Sequence, residues 1–493
     1  METGNMKRNE GFLKTAEELR PSLKVTAVEL EGSGRVLKKG DEELFDLGDH
    51  YTGYVTVGFE STGRHQDAPL HFQISFYESS QEFSERPSRY HGWISPSWIQ
   101  EERIHIDVLP CSCRLQRRYA FRYIKIRILS VSSNFSVKIN RVSVDAVSSA
   151  DEKKLIPFRG RREDERLDAV SVRTLHECMQ EVFEDGPKRD RRLWLGDLRL
   201  QALTNYVTYR DLSLVKRCLY LFAGDTFDDG RVSNNIFIYP EPEMDDQFMF
   251  DYSLFFISTL RNYYEESGDI DTLRELEPTA YRQFELSRGC FDERNIAELK
   301  KTGPVFVDWK QTLHKQASAQ GIYIYCLKDL LEIEKALGNS TSEIESEISV
   351  KTQAALDHLY SKKRGLFLSG RINQVSYASQ VWMVLAGVVQ GDKAAEVLEK
   401  TENSPAAVKM RTPYMYHHYV EALIKCGRKQ KAYEKMLEYW GAMLELGADT
   451  FYEIFDPKKT GSSPYGGKII HSYCHAWSCT PAYFLRKYYS EGK

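Results

Sequence analysis

The segment DGPKRDRRLWLGD, residues 185–197, places Asp185, Asp190 and Asp197 among Lys188, Arg189, Arg191 and Arg192, with Trp194 beside them. Cations can hold a half-buried carboxylate ionised by lowering its pKa. In that company carboxylates can do proton chemistry on a polar substrate, or they can simply pair off on a solvated surface. Trp194 offers a flat apolar face on which a sugar ring could stack. A second segment, GADTFYEIFDP (447–457), sets Glu453 and Asp456 beside Tyr452 and Phe455. A carboxylate among aromatics loses solvation, which raises its pKa towards a general acid or base role. A third, HSYCHAWSCTPAYFL (471–485), carries His471, His475 and Trp477. The fourth, TGPVFVDWKQ (302–311), puts Asp308 next to Trp309 on a loop that follows Gly303 and Pro304.

Other chemistries find no footing in the sequence. YPEPEMDDQFMFDY (239–252) gathers Glu241, Glu243, Asp245, Asp246 and Asp251, yet its spacing is not that of an EF-hand loop. No Walker A sequence, dinucleotide fingerprint, nucleophile elbow or H-E-x-x-H is present. His417 and His418 are adjacent and cannot share one helix face as a metal pair, and Cys111 and Cys113 form a lone C-x-C. The sequence therefore predicts no metal and no cofactor. A net charge of −4 gives no electrostatic reason to expect nucleic acid. The richest apolar run, SLFFISTL, stops at Arg261, short of a membrane span. The N-terminal stretch has a basic start but no apolar core of a secretory signal. Nine scattered cysteines fit free thiols, so a cytoplasmic setting is expected. Oligomeric state leaves no signature.

The elements that must position these residues fall into two periods. Residues 23–150 read as antiparallel strands. LHFQISFY alternates Leu70, Phe72, Ile74 and Phe76, and RIHIDVL alternates Ile104, Ile106 and Val108. FSVKINRVSVDAV repeats the pattern around a reset at Asn140, with turn signals such as ESTGRHQD and RPSRYHG between strands. A β-sandwich is the natural packing. Residues 1–22 read as a tail and 151–164 as a linker. From residue 165 to 493 the period is helical: ERLDAVSVRTLHECMQEVF lines Leu167, Val170, Leu175, Met179 and Val182 along one face. Five further helical patterns end in glycine, at 224, 268, 338, 391 and 427, as helix termini favour. Roughly a dozen helices in successive hairpins predict a closed (α/α)6 toroid.

Taken in order, the motifs resemble the bacterial α-L-rhamnosidases of the six-hairpin kind. Asp185, Gly186, Pro187, Arg189, Asp190, Trp194, Gly196 and Asp197 are similar to that family's Asp-Cys-Pro-x-Arg-(Asp)-Glu followed by Trp-x-Gly-Asp. DTFYEIFD resembles its Thr-Thr-x-Trp-Glu-x-Trp-Asp, SYCHAWS its Ser-x-Asn-His, and Asp308-Trp309 its Gly-Asp-Trp. FDLGDHYTGYVTV and RRYAFRYIKI look like the β-sandwich that precedes the barrel. The resemblance implies an inverting glycoside hydrolase acting on small α-L-rhamnosides or related glycosides. Asp190 would be the general acid and Glu453 the general base. Asp185, Arg189, Asp197, Asp308 and His475 would hold the sugar, with Trp194 and Trp309 as walls. Two departures stand out. Asp190 occupies a place usually taken by Glu, with a stem shorter by about 1.5 Å, and Tyr452 replaces a Trp. A hydrolase or lyase for a uronic acid, using the basic residues near Asp185, and a non-catalytic sugar-binding relative are the competing readings.

Overall fold

The computed structural model describes residues 6–63, 69–461 and 463–490. The turn ESTGRHQD extends into residues 64–68, outside the described residues.

Strand β1 (Met6–Arg8) precedes seven strands that form one antiparallel sheet: β2 (Lys24–Glu31), β3 (Glu42–Thr62), β4 (Leu70–Tyr77), β5 (Glu101–Ile106), β6 (Cys111–Arg114), β7 (Tyr119–Val131) and β8 (Ser136–Ser148). Their order is β2-β8-β3-β7-β4-β5, with β6 also paired to β3. The sheet is continuous because β3 serves both halves: Glu42–Gly53 pairs with β7, and Gly53–Thr62 with β8. It folds back along that strand, so Phe59 of one half meets Phe72 of the other with ring centroids 4.7 Å apart. The sandwich is thus one sheet closed on its own apolar face. Leu70, Phe72, Ile74 and Phe76 all point into that core, as their alternation predicts. The reset at Asn140 is a β-bulge, where pairing steps from Arg141↔Gly58 to Ile139↔Phe59. Val108 departs from expectation: β5 ends at Ile106 and Val108 is 57% exposed.

Within the stretch read as a tail, β1 pairs with Asp225–Phe227, and the helix Glu10–Glu18 packs on the helix Leu212–Gly224. The reason is local: Asn9 caps that helix, Ala16 is buried against the helical core, and Phe12 meets Tyr220 edge-on at 5.6 Å. Between Ser148 and Glu165 the chain makes two short 3-10 turns.

Six inner helices surround the barrel axis: Leu195–Val207, Phe250–Ser267, Gln316–Leu337, Tyr377–Leu385, Pro413–Lys425 and Pro481–Tyr488. Leu195–Val207 and Tyr377–Leu385 are almost wholly buried, whereas outer helices such as Ile270–Ser287 and Gly391–Glu402 bury one stripe. The ring closes where His417 packs on Phe484, centroids 4.9 Å apart. Gly268, Gly338 and Gly427 follow helix ends with positive φ, but Gly224 lies inside its helix and Gly391 opens one. The helix Glu165–Cys178 stops short of Met179, whose carbonyl turns to accept from the Ser149 amide. Met179 and Val182 are still buried, but beyond the helix. No helix among the described residues is long and apolar enough to cross a membrane.

Candidate active site

The connections that lead into the inner helices gather at one end of the barrel, and residues 185–194 form the tightest of them. Asp185 shapes this loop: its carboxylate accepts from the amides of Asp190 at 2.9 Å and Arg192 at 3.1 Å. A Cβ at Gly186 would lie 2.6 Å from the Arg189 carbonyl, so only glycine lets the loop close this tightly. Burial, and then the Asp190 charge, push Asp185 up to about 8. The expectation that the basic neighbours would keep this carboxylate ionised is therefore reversed, since those cations are engaged elsewhere.

Lys188 and Arg189 carry most of that engagement. Lys188 is buried and donates to Glu82 of the sheet domain at 2.6 Å and to the His471 carbonyl at 2.9 Å. Arg189 donates to the Ile470 carbonyl at 2.7 Å and to Glu453 at 2.6 Å, and lies over the Tyr465 ring at 4.1 Å. Arg191 donates to the carbonyls of Pro187 and Arg118, and Arg192 pairs with Asp245 at 3.4 Å. Glu184, just ahead of the loop, is held by Arg118 of the sheet domain at 2.7 Å. The sheet domain therefore grips the loop on both sides of Asp185. Removing one partner of a buried ion pair strands the other, at a cost of roughly 3–5 kcal/mol. Lys188→Ala is accordingly expected to lower stability by about 3 kcal/mol, read as an earlier urea midpoint. An unchanged midpoint would contradict the grip.

Glu453 is 4% exposed, and its carboxylate accepts from Arg189 and from the Tyr465 hydroxyl. Burial alone would raise its pKa. The Arg189 guanidinium, then His475, His471 and the Tyr465 hydroxyl, outweigh burial and hold it below the ordinary glutamate range. That is opposite to the rise expected from its aromatic neighbours, because a guanidinium at hydrogen-bond distance stabilises the anion more than burial disfavours it. His475 donates across to Asp197 at 3.0 Å. Burial opposes its charge, yet the Asp197 hydrogen bond and the Glu453 charge raise it above the ordinary histidine value. Burial pushes Asp197 up despite the His475 hydrogen bond, and the charges of Glu453 and Asp190 add to that push. One electrostatic cluster thus includes Asp185, Asp190, Asp197, Glu453 and His475.

Asp190 is the half-buried member of the cluster, and among the described residues its carboxyl takes no hydrogen-bond partner. Two buried donors nearby are also unengaged: His475 Nδ1 and Trp194 Nε1. A buried polar atom without a protein partner is unusual. At a concave polar site it marks where a substrate hydroxyl can bond.

Asp308, for which the resemblance implied a sugar contact, holds backbone in place. It accepts from the amides of Arg411 at 2.9 Å and Thr412 at 3.1 Å and from the Thr412 hydroxyl at 2.8 Å, anchoring the start of the helix Pro413–Lys425. Its neighbour Trp309 does stand at the site, 6.1 Å from Tyr465 and 6.3 Å from Trp93, centroid to centroid. Trp194 is half-buried and edge-on to Tyr252 at 6.2 Å.

Tyr465 and Trp93 are site residues that motif reading passes over. Tyr465 lies in a loop with no recognisable pattern, where only the glycine pair Gly466-Gly467 hints at a close approach. Trp93 comes from the sheet domain. It is 65% exposed, and its indole donates to the Pro464 carbonyl at 3.2 Å. Gly92 permits this docking, because a Cβ there would lie 1.8 Å from the Tyr465 carbonyl.

Comparison with known proteins identifies the family of both domains. Residues 19–146 match the family model described as glycosyl hydrolase family 78 alpha-rhamnosidase N-terminal domain, and 161–489 match the bacterial alpha-L-rhamnosidase 6 hairpin glycosidase domain. A rhamnosidase from Klebsiella oxytoca, solved with rhamnose bound, is 44% identical over 98% of this chain and 99% of its own, with a TM-score of 0.93. The family 78 rhamnosidase of Bacillus sp. GL1 shares the fold at 21% identity and a TM-score of 0.76, covering 92% of this chain and 47% of its own. The Streptomyces avermitilis α-L-rhamnosidase, solved with L-rhamnose, does so at 14% identity and a TM-score of 0.68, over 95% of this chain and 44% of its own. Among curated proteins nothing matches.

Proposed function

The chain belongs to the bacterial α-L-rhamnosidases of glycoside hydrolase family 78, and from that premise we propose that it hydrolyses small α-L-rhamnosides with inversion, Asp190 acting as general acid and Glu453 as general base. The observation that carries this reading is Arg189: its backbone leads directly into Asp190 while its guanidinium holds Glu453. The two carboxyl groups are thereby tied to one site. Glu453 is kept ionised, as a base must be, and among the described residues the Asp190 carboxyl has no protein hydrogen-bond partner, which leaves it open to a leaving oxygen.

Hydrolysis with inversion needs a proton delivered to the leaving oxygen and a water activated on the opposite face of the ring. Arg189 and Tyr465 occupy part of the Glu453 carboxylate, which offers about four acceptor positions, so room is left for that water. The unengaged donors of His475 and Trp194 would bond sugar hydroxyls, with Asp197 orienting His475 through its other nitrogen. L-Rhamnose as the glycone rests on the rhamnose-bound relative at 44% identity. A cytoplasmic setting, in keeping with nine unpaired thiols, belongs to the same proposal.

Incubation with a panel of 4-nitrophenyl glycosides tests the reading. Release of nitrophenol from the α-L-rhamnoside is expected, and release from a uronide alone would overturn it. Trp93 and Trp309 would flank an aryl aglycone. Trp93→Ala is therefore expected to raise KM for aryl rhamnosides about fivefold, with kcat changed far less. An unaltered KM would remove Trp93 from the substrate path.

A further inference from the structure

Five of the six inner helices meet around a cavity of about 220 Å3, whose walls include Arg199, Tyr206, Arg261, Tyr325, Glu421 and Tyr488. Most of these helices contribute through their last turns, whereas residues 185–194 lead into the first turn of Leu195–Val207. The cavity therefore lies at the end of the barrel away from the candidate active site. It is far larger than the roughly 15 Å3 that one water needs.

Three of its lining side chains hold a buried polar atom without a partner: the Arg199 Nε, the Tyr206 hydroxyl and one Glu421 carboxylate oxygen. Such atoms are rare in a folded core, because each loses its hydration and gains no bond in exchange. Arg199 is 1% exposed. Its guanidinium donates to the His418 ring at 3.0 Å and to the Tyr325 hydroxyl at 2.8 Å, and among the described residues it meets no carboxylate at ion-pairing distance. Glu421 also lacks a counter-ion. The group that faces it is His417, at 3.8 Å, and burial, then the Arg199 charge, push that ring well below the ordinary histidine value and keep it neutral. The other charges of the cavity are engaged: Arg261 with Glu265 at 2.7 Å, Glu266 with Arg210 at 3.3 Å, and Lys487 with the Tyr483 hydroxyl at 3.1 Å.

The orphaned groups select the chemistry of an occupant. A guanidinium only donates and a carboxylate only accepts. A bound anion would suit Arg199 and be repelled by Glu421, and a cation would do the reverse. A hydroxyl both donates and accepts, so neighbouring hydroxyls on one neutral molecule can serve Arg199 and Glu421 together, with the Tyr206 hydroxyl taking another. Around these groups stand Tyr325, Tyr483 and Tyr488, whose rings give the cavity apolar walls with a few placed polar groups, the make-up of a small-molecule site.

We infer that this cavity is a second sugar site, holding a neutral polyhydroxylated molecule at the far end of the barrel from the cleavage site. The inference stands apart from the hydrolase reading. The probes are L-rhamnose and D-glucose, with sodium acetate as the anion, added to the full chain labelled with 5-fluorotryptophan and followed by fluorine NMR. Trp382 reports on the cavity, since it is buried with its ring centroid 5.8 Å from that of Tyr325. Its signal is the one missing from Trp382→Phe. Both sugars are expected to move that signal saturably, and acetate is not. Glu421→Ala should raise the sugar concentration required about tenfold. Tyr206→Phe removes only an unpartnered hydroxyl, so it should fold, and it should raise that concentration about threefold. A Trp382 signal that neither sugar moves, that acetate moves as far as the sugars do, or that responds as in the wild type in both variants would overturn the site. Turnover of 4-nitrophenyl α-L-rhamnoside, followed in parallel, reports on the hydrolase reading alone.

Discussion

Glu453→Gln is expected to lower kcat by about a thousandfold while the chain stays folded. The amide has the shape of the carboxylate and still accepts from Tyr465, but it cannot take a proton from water. It also turns an N–H2 or a weaker acceptor towards Arg189, which loses its anion at hydrogen-bond distance. A stability loss of about 2–3 kcal/mol is therefore expected alongside. Chemical denaturation separates the two effects, since a variant that unfolds late enough to be fully native at assay temperature shows the loss in kcat as chemistry. The pH profile adds a second handle. Because the net shift of Glu453 is downward, the base remains ionised below the ordinary glutamate range, and the acid limb of kcat/KM falls correspondingly low. The same depressed pKa contributes stability that is present above the unfolded-state value and is lost as pH falls through the folded one. A Glu453→Gln enzyme with wild-type turnover would remove Glu453 from the base role.

Asp190→Asn is expected to act selectively. An acid protonates the leaving oxygen, so its removal costs most when the leaving group is a poor one. With a sugar or alkyl aglycone the loss should approach a thousandfold, while a nitrophenolate, which departs without a proton, should lose about tenfold or less. This pattern also tests the competing acid. Asp185 is pushed up to about 8 and would be protonated at neutral pH, but both its oxygens already accept from backbone amides. If Asp185 donated the proton, Asp190→Asn would depress all substrates alike by disturbing the loop, without regard to the leaving group.

Much of this site is legible in the residues themselves. The loop at 185–197, Glu453, and His475 with Trp309 can be picked out because each combines chemistry-bearing types with a helix boundary or an aromatic neighbour. The strand face of Leu70, Phe72, Ile74 and Phe76 and the bulge at Asn140 are legible for a similar reason, since a period of two and its interruption are written in consecutive residues. What sequence spacing does not contain is who pairs with whom. Nothing local tells that Arg189 turns towards a carboxylate more than 250 positions away, so the direction of the Glu453 pKa is inverted by a contact that only the fold creates. The partners of Asp308 are hidden for the same reason: the Arg411 and Thr412 amides that it accepts from lie far along the chain. The docking of Glu10–Glu18 on the helical domain, and Trp93 beside Tyr465, likewise depend on surfaces that meet only after both domains form.

Lys188 with Glu82, and Arg118 with Glu184, give the sheet domain a share in holding the loop at 185–194. Burying ion pairs carries a desolvation penalty that hydrophobic contacts would avoid. Their value here lies in geometry, since each fixes one side of a loop that must hold Asp190 open while keeping Asp185 closed.

The central claim is that Asp190 and Glu453 act on opposite faces of one bound sugar. Following the first turnovers of an α-L-rhamnoside by proton NMR, before the released sugar mutarotates, reads this directly. The β-anomer of L-rhamnose should appear first and convert to α only later. Release of the α-anomer from the outset would mean that the two carboxyl groups do not face each other across a water, and the account would fall.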